Sequence, residues 1–433
     1  RPEGIGLGAI TQRFYPHDIL LINESVVNSM IGGTFNQTLE VGTSSPRRIH
    51  NIEKYLADYL PGNVQKIETK QLRGNVNTRI RKLVNGEYHA IVLALPGLER
   101  LAQSKESANE ISPLLKRLNF SILPTSQFPA AASQGALGIE YNKNRFDKGE
   151  LAKKLDQVNH SETARAVKVE RDHFQKFGGG CHLAVGITTR LTNGHLVTSM
   201  RGESNSKMIS ENFIEGINRE RIPSCHVFIG VNTETKDFIS DKLFKRSPLN
   251  WKDIEGACKF VTTKHAISDG ESVKALQKNL VFSAGTKTWK ELCNRSIWVN
   301  GSADSLGENE LLSLKGSSFL KLITDSKISK DWQVLTHKDG DSNLGEATEA
   351  YTSSEKEISD QFYNDIKKCE VFFWSSFRQY QGYVAKFPFI KNRTHCTGIG
   401  KTYQQFRISG IKAVPFSGMK EFKSWVNIIE RIS

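Results

Sequence analysis

The feature that most constrains this chain is the alternation of short apolar runs with segments of helical period between about residues 9 and 105. Apolar runs at Asp18–Asn23, 64–68 and 90–95 each lead into a stretch whose apolar positions recur three and four apart. Such alternation predicts an α/β domain with a mainly parallel sheet, because each strand must be followed by a helix that covers it. At 433 residues the chain has room for about three such units.

Two of the strand-to-helix turns carry arginines. In Gly42-Thr43-Ser44-Ser45-Pro46-Arg47-Arg48, Ser45 can cap the following helix and Pro46 fits its first position, where a missing N–H costs nothing. Ile49, Ile52 and Leu56 continue it at helical spacing. Arg47 and Arg48 then fall in the first turn, where the helix dipole already places positive charge. Two cations there make sense if an anion occupies the site; two solvated arginines are the alternative. Arg73-Gly74-Asn75 repeats the device, with Arg79 off the apolar stripe of Val76, Ile80 and Leu83, and Asn85-Gly86 closing the helix. Successive strand–arginine–helix units predict a site for carboxylates or phosphates.

A third segment, Gly178-Gly179-Gly180-Cys181, follows a helical pattern over 161–177. Three glycines let backbone approach a ligand and leave the sulfur open, although a glycine hinge or a structural cysteine reads the same way. Adjacent His182 gives no zinc spacing, so no metal is expected. The six cysteines are scattered without a CxxC pair, which points to a reducing cytoplasm rather than a disulfide framework. No apolar stretch is long enough for a membrane helix and no signal peptide is visible, so no membrane partner is expected.

The net charge of +13 favours anionic partners. The basic residues are dispersed, with no basic tract, zinc-finger spacing or aromatic RNA-binding signature, so acidic small molecules are favoured over nucleic acid. Farther along, Asn193-Gly194 predicts a tight hairpin, 135–141 a further strand, and 246–252 a linker. Beyond it, strands are expected at 281–284, 297–300, 319–324, 333–337, 371–374 and 414–417.

Residues 1 to roughly 240 resemble hydroxymethylbilane synthase, also called porphobilinogen deaminase, of tetrapyrrole (heme) biosynthesis. The resemblance is carried in order by VGTSSPRR, LRGNVNTRIRKL, GEYHAIVLALPGLERL, SQGALGIE, NHSETARAVKVER and FGGGC. It implies a transferase that adds four porphobilinogen units, releasing ammonia, to a dipyrromethane cofactor held covalently at Cys181. It further implies that Arg47, Arg48, Arg73, Arg79 and Arg100 bind the acetates and propionates of cofactor and growing chain, with Thr43, Ser45 and Gln134 adding hydrogen bonds. Ser133 and Ala184 stand where the family has glycine and proline. The family's catalytic aspartate is expected upstream of Arg1, in a first domain that this chain does not contain; the chain is read as truncated there and inactive as it stands.

Residues from about 255 resemble uroporphyrinogen-III synthase, the next enzyme (a lyase), through SAGTKTW, WVNGSA, FFWSS and GIGKT. That resemblance implies two lobes with the linear tetrapyrrole between them, and makes Ser375, Ser376 and Thr402 candidate carboxylate ligands. The alternative for 398–402 is a helix-capping turn.

The resulting expectation is α/β throughout. A periplasmic-binding-protein-like lobe spans 1–132, a return segment to the first domain 133–150, and a small α+β cofactor-attachment domain 151–245. A linker at 246–254 precedes a second, two-lobed α/β region over 255–433. The partners are porphobilinogen and the linear tetrapyrrole, handled by a cytoplasmic monomer. A non-catalytic solute-binding protein for polycarboxylates is the competing reading.

Overall fold

The structure, a computed structural model, describes residues 2–145, 149–178, 183–217, 219, 225–231 and 238–426. It is a mixed α/β molecule with several sheets. The N-terminal five-stranded sheet has the order Ile67–Lys70, Leu39–Gly42, Ala90–Ala94, Asp18–Asn23, Leu118–Ile122. Leu39–Gly42 runs parallel to both of its neighbours. Asp18–Asn23 runs antiparallel to both of its own, so four of the five strands run one way, as a mainly parallel sheet requires, and one is reversed. Crossover helices impose parallelism only on the strands they join in succession, here 39–42, 67–70 and 90–94. Asp18–Asn23 is buried on both faces, so its composition carries no sign of direction.

The helices start as their caps dictate. Pro46–Tyr55 has Pro46 in its first turn after an extended Ser45, whose side chain makes no capping bond. Val76–Val84 is capped by Asn75, whose Oδ1 accepts from the Thr78 N–H at 2.9 Å. Helix Ser161–Lys176 packs through Phe174 against Val185 and Ile187 of a three-stranded antiparallel sheet. In that sheet Asn193 and Gly194 take φ of 49° and 84°, the left-handed pair that a two-residue hairpin needs. Ile5–Ile10 pairs with Gly138–Asn142 in a separate antiparallel ribbon, on which Leu7, Leu137 and Ile139 are exposed.

The C-terminal part holds a six-stranded sheet built from 244–355 and a five-stranded one that joins 226–240 to 369–416. The stretch read as a linker therefore overlaps a strand, Phe244–Pro248, paired with Glu346–Glu355. Residues 226–229, assigned above to the attachment domain, pair instead with Cys369–Trp374. The expected strand at 319–324 is the helix Ser318–Ile323, started by Ser317; an apolar run this short does not distinguish the two periods. The expected strand at 297–300 falls later: only Gly301–Ser302 enters the ladder.

The halves share one core. Leu20, Ile22 and Val41 pack in the same cluster as Trp289, Trp298 and Leu335. Indole N–H groups tie the seam: Trp289 donates to the Tyr59 carbonyl and Trp298 to the Phe120 carbonyl, each at 2.9 Å. The Ile122 N–H continues it, donating to the Asn300 carbonyl at 2.8 Å.

Candidate functional site

The segments that follow strands 39–42, 67–70 and 90–94 leave one end of the N-terminal sheet; Arg47, Arg48 and Arg73 sit at the first two turns, and Arg79 and Arg100 farther on, within the helices Val76–Val84 and Leu95–Gln103. At this end lies Asp18, the first residue of its strand. Arg47 donates to its Oδ2 at 2.6 Å, and Arg48 to its Oδ1 at 2.7 Å and its Oδ2 at 3.1 Å. Arg47 also reaches the Pro129 carbonyl, and Arg48 the Val92 carbonyl. Burial alone would raise the Asp18 carboxyl, but the two guanidiniums overcome it and hold the group well below the usual carboxylate range. The anion at this helix start is thus one of the chain's own side chains. Asp18 was missed as a functional residue because it opens an apolar run; a charged residue leading a fully buried strand was the available signal.

The other expected residues divide into engaged and open. Thr43 is buried and accepts from the Ser45 N–H. The Gln134 amide donates to the Pro16 carbonyl at 2.8 Å and to Asp18 Oδ1 at 3.0 Å. Arg79 is half-buried and donates to the Gly74 carbonyl at 2.8 Å. Arg73 is exposed beside Gln71. Arg100 is exposed, and among the described residues no hydrogen bond or ion pair engages it. It shares a pocket of about 370 Å³ with Asn75, Val76 and Asn77, the start of the helix that Arg73 precedes. Cys181 and the glycines before it at 179 and 180 lie outside the described residues; Gly178, with φ of 87°, ends the described helix side of that loop. The five cysteines that are described are buried and form no disulfide with one another.

A second cleft, of about 620 Å³, opens in the C-terminal part between the six-stranded and five-stranded sheets. Ser375 and Ser376 line it together with Arg246, Lys264, Lys287 and Arg378. Ser376 caps the helix Phe377–Lys386, accepting from the Gln379 N–H at 3.2 Å. Thr402 donates to the Ser375 carbonyl at 3.4 Å and does not line the cleft. The four cations come from four separate segments, and only Lys287, within SAGTKTW, lies in a motif singled out above.

Comparison with known proteins bears on the first of these sites. Residues 1–149 match the family model described as "Porphobilinogen deaminase, dipyromethane cofactor binding domain". The porphobilinogen deaminase of Gloeobacter violaceus is 34% identical over 209 residues, 47% of this chain and 57% of that protein. That of Methylobacillus flagellatus is 38% identical over 186 residues, 43% of this chain and 51% of that protein. The N-terminal part is thus similar to porphobilinogen deaminases, and the family it matches is one that binds the dipyrromethane cofactor. The chain spans about half the length of the curated relatives it matches. A uroporphyrinogen-III synthetase from Helicobacter pylori aligns over 44% of this chain and 92% of its own, at 16% identity and a TM-score of 0.31, too low to carry an argument. Among the described residues no helix is long and apolar enough to cross a membrane.

Proposed function

We propose that this chain acts in tetrapyrrole biosynthesis as the cofactor- and chain-binding part of a hydroxymethylbilane synthase, a transferase that polymerises porphobilinogen. The observation that carries the reading is the open guanidinium of Arg100 in one pocket with the helix start at Asn75–Asn77, which Arg73 and Arg79 adjoin in sequence. A helix N-terminus and fixed guanidiniums favour anions, and each porphobilinogen unit brings two carboxylates. The residues present fit an anionic dipyrromethane: Arg73, Arg79 and Arg100 would hold its carboxylates and Cys181 its thioether. When bound, that group supplies the primer on which the chain grows. Arg47 and Arg48 pair with Asp18 at the neighbouring turn and so fix the start of the helix Pro46–Tyr55.

The C-terminal part fits a second tetrapyrrole site of uroporphyrinogen-III synthase type. Its support is the cleft where Arg246, Lys264, Lys287 and Arg378 meet Ser375 and Ser376, a lining suited to a polycarboxylate. On sheet membership we begin this part near residue 225 rather than 255. In this reading the protein works as a cytoplasmic monomer.

Incubation with porphobilinogen and an added active synthase, followed by intact-protein mass spectrometry of this chain, tests the first assignment. A covalent increment that maps to Cys181 supports the synthase; reversible binding with no increment favours the non-catalytic polycarboxylate binder.

A further inference from the structure

Where the halves meet, a cavity of about 720 Å³ is lined from both sides. The N-terminal side contributes Phe14, Tyr15, Arg100 and Gln134, and the C-terminal side contributes Leu312, Ser313, Gly316 and Ser318. We propose that the segment 312–318 is a wall of the N-terminal half's ligand site, so that the C-terminal half shapes which carboxylate-bearing pyrrole the site accepts. This rests on the reading of Arg100 as a carboxylate receptor and adds the second wall to it.

Three observations support a built wall rather than a chance gap. First, the N-terminal half holds the segment in place. The Tyr15 hydroxyl donates to the Ser313 carbonyl at 2.9 Å. The buried Glu99 carboxylate accepts from the Ser317 hydroxyl at 2.6 Å and from the N–H groups of Ser318 and Phe319 at 2.8 and 3.1 Å. Second, those bonds engage the Glu99 carboxylate with 317–319, and Arg100 is left as the charged group of the cavity wall that no hydrogen bond or ion pair engages among the described residues. An apolar, aromatic-bearing cavity with one open guanidinium suits a flat heteroaromatic ring with a carboxylate arm. Third, Gly316 and Gly97 face each other's halves across this cavity with open space where a Cβ would stand. Neither has a left-handed φ, so a side chain at either would enter the cavity without backbone strain.

The test is titration of the full chain with porphobilinogen by isothermal calorimetry. Gly316→Trp fills the cavity from the C-terminal side, and we expect it to weaken binding by about tenfold or more. Leu312→Asp, at an exposed position, should also weaken it by repelling the carboxylate. Gly316→Ala should bind as the parent does. Arg100→Gln reports on the underlying reading separately. If Arg100→Gln weakens binding while Gly316→Trp and Leu312→Asp do not, the wall is overturned and the carboxylate site stands. If Arg100→Gln has no effect, or the parent does not bind porphobilinogen, both fall. Far-UV circular dichroism guards against misfolding, with Leu312→Asp deciding should Gly316→Trp fail to fold.

Discussion

Arg47 and Asp18 form a buried ion pair, 2.6 Å from Nη1 to Oδ2, at the arginine-bearing end of the N-terminal sheet. Arg48 closes on the other carboxylate oxygen, so one aspartate holds two guanidiniums and the trio keeps one positive charge. Removing one partner of such a group leaves buried charge uncompensated, which costs roughly 3–5 kcal/mol. Asp18→Asn should therefore lower the urea midpoint of unfolding markedly. The pH dependence follows from the depressed Asp18 pKa. Its contribution is fully present above the unfolded value of about 3.9 and is lost as pH falls through the lower folded value. Stability of the parent should thus fall below about pH 4, and this component of the fall should vanish in Asp18→Asn. A variant as stable as the parent at pH 7 would remove the clamp from the argument.

Cys181 gives a second prediction. With porphobilinogen and an added active synthase to generate the linear tetrapyrrole, the mass of this chain should rise by a pyrrole-derived increment, and peptide mapping should place it on Cys181. Cys181→Ser should show no increment, while the buried Cys258 and Cys293 should stay unmodified in both. Burial pushes the Cys258 thiol up to about 12, so little thiolate is available there near neutral pH. An increment on either buried cysteine, or one that survives in Cys181→Ser, would remove the tether from the reading.

Arg73 and Arg79 give a third. Each charge-assisted hydrogen bond to a bound carboxylate contributes about 1.5–3 kcal/mol. Arg73→Gln should weaken porphobilinogen binding by about tenfold or more, and Arg73→Lys should recover only part of it, because the bidentate fork is lost. Arg79→Gln should have a smaller effect, since its Nε is already spent on the Gly74 carbonyl. Full recovery in Arg73→Lys would show that a point charge suffices and that the fork geometry is irrelevant.

Local signals were legible where one residue type dictates one geometry. Asn193-Gly194 turned as read, Pro46 opened its helix, and the helix 161–177 ended within a residue of its expected bound. What the sequence hid was relational. The direction of Asp18–Asn23 depends on its neighbours, and nothing in a strand buried on both faces records it. The arginine motif advertised an anion, but its source is 29 residues upstream in Arg47's case, in a segment read only as apolar. Residues 226–229 pair with a strand more than a hundred positions away, so local composition assigned them to the wrong side of a boundary. The C-terminal cleft needed four scattered cations to be seen together.

The shared core makes the last prediction. All six tryptophans, from Trp251 to Trp425, lie in the C-terminal part, with Trp289 and Trp298 at the seam, so indole fluorescence reports on that part and on the seam. Leu20 belongs to the N-terminal sheet, is fully buried, and shares its cluster with Trp289 and Trp298. Leu20→Ala should cost about 2–5 kcal/mol, through lost burial and the cavity it leaves. If the seam at Phe120–Trp298 and Tyr59–Trp289 joins the halves into one cooperative unit, that cost must appear in tryptophan fluorescence. The fluorescence and far-UV circular dichroism midpoints in urea should coincide in the parent and fall together in Leu20→Ala. Trp298→Phe keeps the ring but deletes the N–H that the Phe120 carbonyl accepts. It should loosen the seam and separate the two midpoints. A fluorescence transition that ignores Leu20→Ala would mean that the halves unfold independently and that the contact between them is too weak to hold the wall at 312–318 in place.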